Sequence, residues 1–328
     1  MKKLILVLTL LLAPIASFLV SCGNNTPTSS NSSNPTNTPT PAPTATNTPT
    51  PSVKTIVTFS GAASIMGICL DNSGNLYAAD YNGSGATSNL IKVTSAGVTT
   101  QLTPQIPAVS DVVYDGTNWY MSTGTTSPYF IYRNSAAVTT SPITATSSIS
   151  GVAINSAATT MALSSGSAVT LYSLPAFSVL GNITLSSGPS GEECLVFDNT
   201  GSLYVAQGNL IVKYTPGVSG STTIAGQIGA GAYVDGAATT TAKFNGIQAI
   251  AVDGSGNVYV ADTGNNAIRK VSSATVSTLV GPSGGSVTPA FTSPAIVGPQ
   301  GIAVDSTGDV YFSDRNNSPG NHIYEYIP

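Results

Sequence analysis

From residue 54 onward the apolar residues of this chain fall in short alternating runs, and the runs recur in a fixed order. A first run ends in an acid, a turn of the form Asp-x-x-Gly follows, and a second run carries an aromatic or apolar residue at its centre. Asp71-Asn72-Ser73-Gly74, Asp198-Asn199-Thr200-Gly201, Asp253-Gly254-Ser255-Gly256 and Asp305-Ser306-Thr307-Gly308 show the turn in full, while Asp115 and Asn155 hold the same slot in two weaker copies. Alternation of period two predicts strands. An Asp that accepts turn amides, followed by a Gly that tolerates positive φ, predicts a tight hairpin between them.

Second strands are predicted at 75–80, 202–207, 257–262 and 309–314, and third strands at 90–93, 130–133, 169–172, 210–214, 267–271 and 322–326. Weaker Thr/Val runs such as 97–102 and 275–279 supply a fourth. Six units of four antiparallel strands predict an all-β fold, a six-bladed β-propeller. The sixth unit reaches Pro328 without a fourth strand, whereas a spare strand stands alone at 54–60. That N-terminal strand is expected to close the last blade, and closure removes sheet edges that invite association.

Residues 246–271, which read GIQAIAVDGSGNVYVADTGNNAIRKV, resemble an NHL repeat, as do 301–314. The run Gly231-Ala232-Tyr233-Val234-Asp235-Gly236, followed by Ala242-Lys243-Phe244, is similar to the stretch that often precedes such a repeat. The resemblance covers 54–328, with the second and third units the most degenerate. It implies a propeller with a central channel and, most often, a binding role.

The first residues differ in kind. Lys2 and Lys3 precede an apolar run over 4–20, which ends in Leu19-Val20-Ser21-Cys22. A basic start, an apolar segment and a small residue before the cut describe a secretory leader over 1–21. A membrane-spanning helix is the alternative that the length nearly permits. Leu-Val-Ser-Cys resembles the lipobox of bacterial lipoproteins, which implies acylation of Cys22, export across the inner membrane and a place in the bacterial cell envelope, at the outer membrane or cell surface. Residues 22–53 are rich in Thr, Pro and Ser and are expected to form a disordered, lipid-anchored linker. At about 3.1 Å per residue it reaches roughly 90 Å at full extension.

Composition narrows the function. Charged residues make up 7% of the chain, and loss of Lys2 and Lys3 with the leader takes the net charge from -4 to -6. Lys92, Lys213, Lys243, Arg269, Lys270 and Arg315 are scattered, so nucleic acid, which requires clustered cations, is not an expected partner. Cys69 and Cys194 fall in first strands on opposite sides of the predicted ring, too far apart for a disulfide, and read as small buried residues. The one histidine, His322, reads as a partly exposed strand residue. One histidine cannot build a multi-histidine zinc site. Trp119 and the strand-centre residues Tyr77, Tyr120, Tyr204, Tyr259 and Tyr311 read as core.

Subtracting the scaffold leaves six acids without a repeat slot: Asp111, Glu192, Glu193, Asp235, Asp309 and Glu325. Four and five residues before each turn acid, the columns at the start of the innermost strands contain Asp111, Glu193, Gln248, Gln300, Ser110 and Ser150. These surround one mouth of the predicted channel, where the scaffold needs only small residues. Asp111, Glu193, Gln248 and Gln300 are therefore the candidate ligand-binding residues, and Asp111 and Glu193 are the candidate ligands for a hard cation such as calcium. A water-filled acidic rim is the plain alternative. Three classes follow: a monomeric, surface-displayed binding module for a protein, glycan or small ligand, without a cofactor; a hydrolase or lactonase resembling the calcium-dependent six-bladed propellers; and a structural envelope protein.

Overall fold

The computed structural model describes residues 50–59, 64–81, 87–102, 106–107, 109–123, 131–134, 136–137, 149–185, 195–216, 218–229, 231–283, 291–292, 295–315 and 321–328. The predicted leader and most of the predicted linker lie outside these residues.

The hairpins form because the turn acid is saturated locally. Asp71 accepts hydrogen bonds at Oδ1 from the Ser73 and Asn75 amides at 2.8 and 2.9 Å, and at Oδ2 from the Asn75 side chain and the Tyr77 hydroxyl. Asp253 repeats this set with Ser255, Asn257 and Tyr259. Burial alone raises the Asp71 and Asp253 carboxyls, but these donors outweigh it and hold both below the usual carboxylate range. The turn glycines take the left-handed backbone, with φ of 75° at Gly74 and 82° at Gly256. In the third unit Ala158 adopts φ 53° in the glycine's place, while Asn155 accepts from the Thr159 and Thr160 amides.

Six sheets result, each antiparallel and running from an innermost strand outward. The innermost strands are Ser64–Leu70, Val109–Tyr114, Ile149–Ile154, Leu195–Phe197, Ile247–Val252 and Ile302–Val304. Each of these contacts the next, and the sixth contacts the first. The six apolar clusters each join two neighbouring blades. One unites Ile65, Ile68 and Ala78 of the first with Ala303 and Ile323 of the sixth. Another unites Tyr204 and Ile211 with Ile250 and Val260. The core is therefore a closed circle of interfaces, a six-bladed β-propeller as the repeat predicts.

Closure is by the expected strand. Ser52–Phe59 pairs antiparallel with Asn321–Ile327, from Ser52 opposite Ile327 to Phe59 opposite Asn321, and supplies the outer strand of the sixth blade. Lys54 and Glu325 form an ion pair across this seam at 2.5 Å, and the Tyr311 hydroxyl donates to the other Glu325 oxygen.

The fifth blade carries an added short strand, Gly236–Ala237, on its outer edge. The segment leading to it supplies Asp235, which accepts from Arg269 at 2.6 Å and from the Thr278 amide and hydroxyl. Arg269 is fully buried between the rings of Tyr233 and Phe244 and also donates to Asp262 at 2.6 Å. The acid left without a repeat slot thus balances a buried cation. Arg269, which looks like one of several scattered surface charges in the sequence, is the centre of a network.

His322 corrects an expectation. It is buried, not partly exposed: its Nδ1 lies 3.2 Å from Asp314 Oδ1, and its ring stacks on Tyr324. The strand-end acid Asp314 draws it inward by accepting its backbone amide as well.

Candidate functional site

The innermost strands are interrupted, and the interruption builds the site. Register slips in the pairing of four of them, between Ile65 and Ile68, Val109 and Asp111, Ile149 and Gly151, and Ile247 and Ala249. The residues caught in the slips include Met66, Ser110, Ser150 and Gln248. A β-bulge re-aims side chains that a regular strand would alternate. In the sixth blade Gln300 precedes the strand itself, its amide donating to the Ser313 carbonyl at 3.0 Å.

These positions line a central cavity of about 570 Å³. Asp111, Gln248, Gln300, Ser110 and Ser150 all reach it, as the column argument predicts. Glu193, with Glu192 and Cys194, lies outside the described residues, so the predicted Asp111–Glu193 pairing is not described. Arg315 also lines the cavity. Sequence reasoning missed it by counting it among scattered cations; the available signal is its place directly after the strand-end acid Asp314. The rest of the wall is mostly apolar and includes Ile68, Val112, Val152, Leu195, Ile250 and Ile302.

Asp111 is held from two blades. Its Oδ1 accepts the Val112 amide at 2.8 Å, and its Oδ2 accepts the Val152 amide of the next blade at 3.1 Å. On the other side stands Gly67, where any Cβ would come within 2.7 Å of Oδ1. Glycine is required there because the first and second blades close around the carboxylate. Burial pushes the Asp111 carboxyl up to about 6, against the lowering effect of the two amides. The Cys69 thiol in the adjoining strand is pushed up as well, by burial first and by Asp111 second. Cys69 is a free thiol.

The serines are structural partners of the ring. Ser110 Oγ lies 3.0 Å from Ser122 Oγ and 3.4 Å from the Ile149 carbonyl of the third blade. Ser313 Oγ accepts the Gly301 amide and donates to the Ile65 carbonyl of the first blade at 2.8 Å. Gln300 differs, since it is 4% exposed and its Oε1 has no hydrogen-bond partner among the described residues. Among the described residues no group of three or more His, Cys, Asp or Glu side chains is arranged to hold a metal ion, and His322 is not part of the cavity wall.

This architecture defines a six-bladed β-propeller with a polar-lined central cavity. Within that class the chain carries an NHL repeat: the family model of that description matches residues 244–271. No curated protein sequence matches the chain. Among solved structures it is similar to a protein of unknown function from Bacteroides thetaiotaomicron, with a TM-score of 0.66 and 17% identity over 84% of this chain and 75% of that one. It is also similar to an auxiliary nutrient binding protein from Bacteroides ovatus, at 0.64 and 14% over 84% and 76%. A catalytically inactive virginiamycin B lyase from Staphylococcus aureus, described with quinupristin, matches at 0.54 and 12% over 85% and 99%. At such identities the likeness is one of fold.

Proposed function

We propose that the chain is a lipid-anchored propeller of the bacterial cell envelope that binds a small polar ligand in its central cavity. The observation that carries this is the polar set at the inner-strand slips. A propeller needs only small residues there, yet Asp111, Gln248 and Gln300 bring a carboxylate and two amides to a cavity whose remaining wall is mostly apolar. An apolar cavity with a few convergent polar groups is the usual form of a small-molecule site. The nutrient-binding neighbour supports this reading by analogy of fold alone. Acylation of Cys22 and the 22–53 linker would hold the propeller away from the bilayer.

The test is thermal unfolding with a panel of sugars, polyols, amino acids and amines, in chelator and again with calcium. A ligand that binds only the folded state at a hundred times its Kd adds about 2.7 kcal/mol of stability. A rise in Tm that disappears in Gln248→Leu and Gln300→Leu is the expected result. A rise unaffected by both variants would move the site elsewhere, and a rise that needs calcium would favour the calcium-dependent enzyme. Loss of fatty-acid labelling and of membrane retention in Cys22→Ala is the expected outcome for the anchor.

A further inference from the structure

We infer that the ligand of the central cavity carries a cationic nitrogen, an ammonium or amidinium, with Asp111 as its counter-ion and Gln300 Oε1 as a second acceptor. This rests on the reading that the cavity is the binding site, and it specifies the chemistry of that ligand.

The argument is one of unmet demand. A carboxylate offers about four acceptor positions. Among the described residues, Asp111 has two of them filled, both by backbone amides, and it forms no ion pair. The fully buried acids Asp262 and Asp314 are each supplied by several donors. Asp262, for example, receives Arg269 together with Asn245 and Asn265. Asp111 has no such charged donor, and burial accordingly pushes its carboxyl up to about 6. A half-buried carboxylate with vacant acceptor positions on the cavity wall favours a counter-charge.

Gln300 makes the second demand. Among the described residues its amide oxygen has no donor, at a residue 4% exposed on the same cavity wall. Buried acceptors left empty are rare enough to require an explanation. A ligand ammonium has three donors and suits the chemistry of either acceptor. A neutral polyol can satisfy Gln300 but leaves the charge of Asp111 uncompensated, and an anion is repelled by it. Arg315 is the one basic residue among those lining the cavity; it is exposed and forms no ion pair with Asp111. The positive charge that Asp111 lacks must therefore come from outside the described protein.

Three four-carbon probes of matched length separate the cases: 1,4-diaminobutane, 1,4-butanediol and succinate. Calorimetric titration of the full chain at pH 7.5 is expected to show binding of the diamine at least about tenfold tighter than the diol, with no heat from succinate, since charge-assisted hydrogen bonds are worth at least that factor. Asp111→Asn is expected to weaken the diamine about tenfold or more and to weaken the diol by a smaller factor. Should Asp111→Asn fail to fold, Gln300→Met must still weaken the diamine by about threefold or more. Equal or tighter binding of the diol or succinate overturns the inference while leaving the cavity as a binding site. No binding of the diamine, or binding indifferent to both substitutions, overturns it as well. Failure of every compound in the wider panel would instead remove the proposed function.

Discussion

Replacing Asp111 by Asn tests whether the cavity carboxylate is held at a cost. The folded protein keeps the Asp111 proton up to about pH 6, whereas the ordinary value is 3.8. That interval corresponds to about 3 kcal/mol. The folded state binds the proton more tightly than the unfolded chain, so this group removes stability as pH rises from about 4 to 6 and has a constant effect above that. Asparagine retains one acceptor and turns an NH2 toward the other amide, at a cost of about 1 kcal/mol for the lost hydrogen bond. Asp111→Asn should therefore be about 1 kcal/mol less stable than the wild type at pH 4 and about 2 kcal/mol more stable at pH 7.5. Urea unfolding of both proteins at half-unit pH intervals reads this as a difference. Asp71, Asp115, Asp198 and Asp253, whose carboxyls lie below the usual range, lose their stabilising effect as pH falls, but they are common to both proteins and cancel. A difference that stays flat from pH 4 to 8 would refute the account.

Two further expectations concern the scaffold. Ala158→Gly should stabilise the protein by about 1 kcal/mol, because the left-handed turn position of the third unit then matches its counterparts; a raised urea midpoint with an unchanged slope checks it. Arg269→Met should destabilise by about 3–5 kcal/mol, since it leaves the buried Asp262 and the half-buried Asp235 without their cation; a Tm shift within a degree of wild type would mean that the network is not under load.

The fold was legible because its rules are local and repeated. An acid at Asp71 or Asp253 saturates a turn within four residues, so the hairpin can be read wherever the four-residue phrase recurs. Closure was legible by subtraction, from a strand with no partner at one end and a blade with no outer strand at the other. The Arg269 network was hidden because its members, Asp235, Asp262, Tyr233 and Phe244, come together only when an insertion folds back over the fifth blade. His322 was misread because a strand position carries no sign of the Asp314 carboxyl that draws it inward. The columns found Asp111, Gln248 and Gln300, but they could not show that Gly67 clears room for the carboxylate, nor that Gln300 has an empty acceptor. Both are properties of neighbours from other blades.

The strand that closes the ring imposes an order of events on the cell. Ser52–Phe59 is among the first parts of the propeller to be synthesised, and Asn321–Ile327, its partner, is the last. The early strand must wait through the appearance of all the intervening blades, at a translation rate of about 5–20 residues per second. Until then both edges are open to other chains. A product cut short anywhere before the final strand can form blades but cannot lock them, so it stays accessible to proteases and chaperones. The closing seam thus acts as a check on synthesis, in which the ring is finished only once Asn321–Ile327 has been made and has paired with Ser52–Phe59.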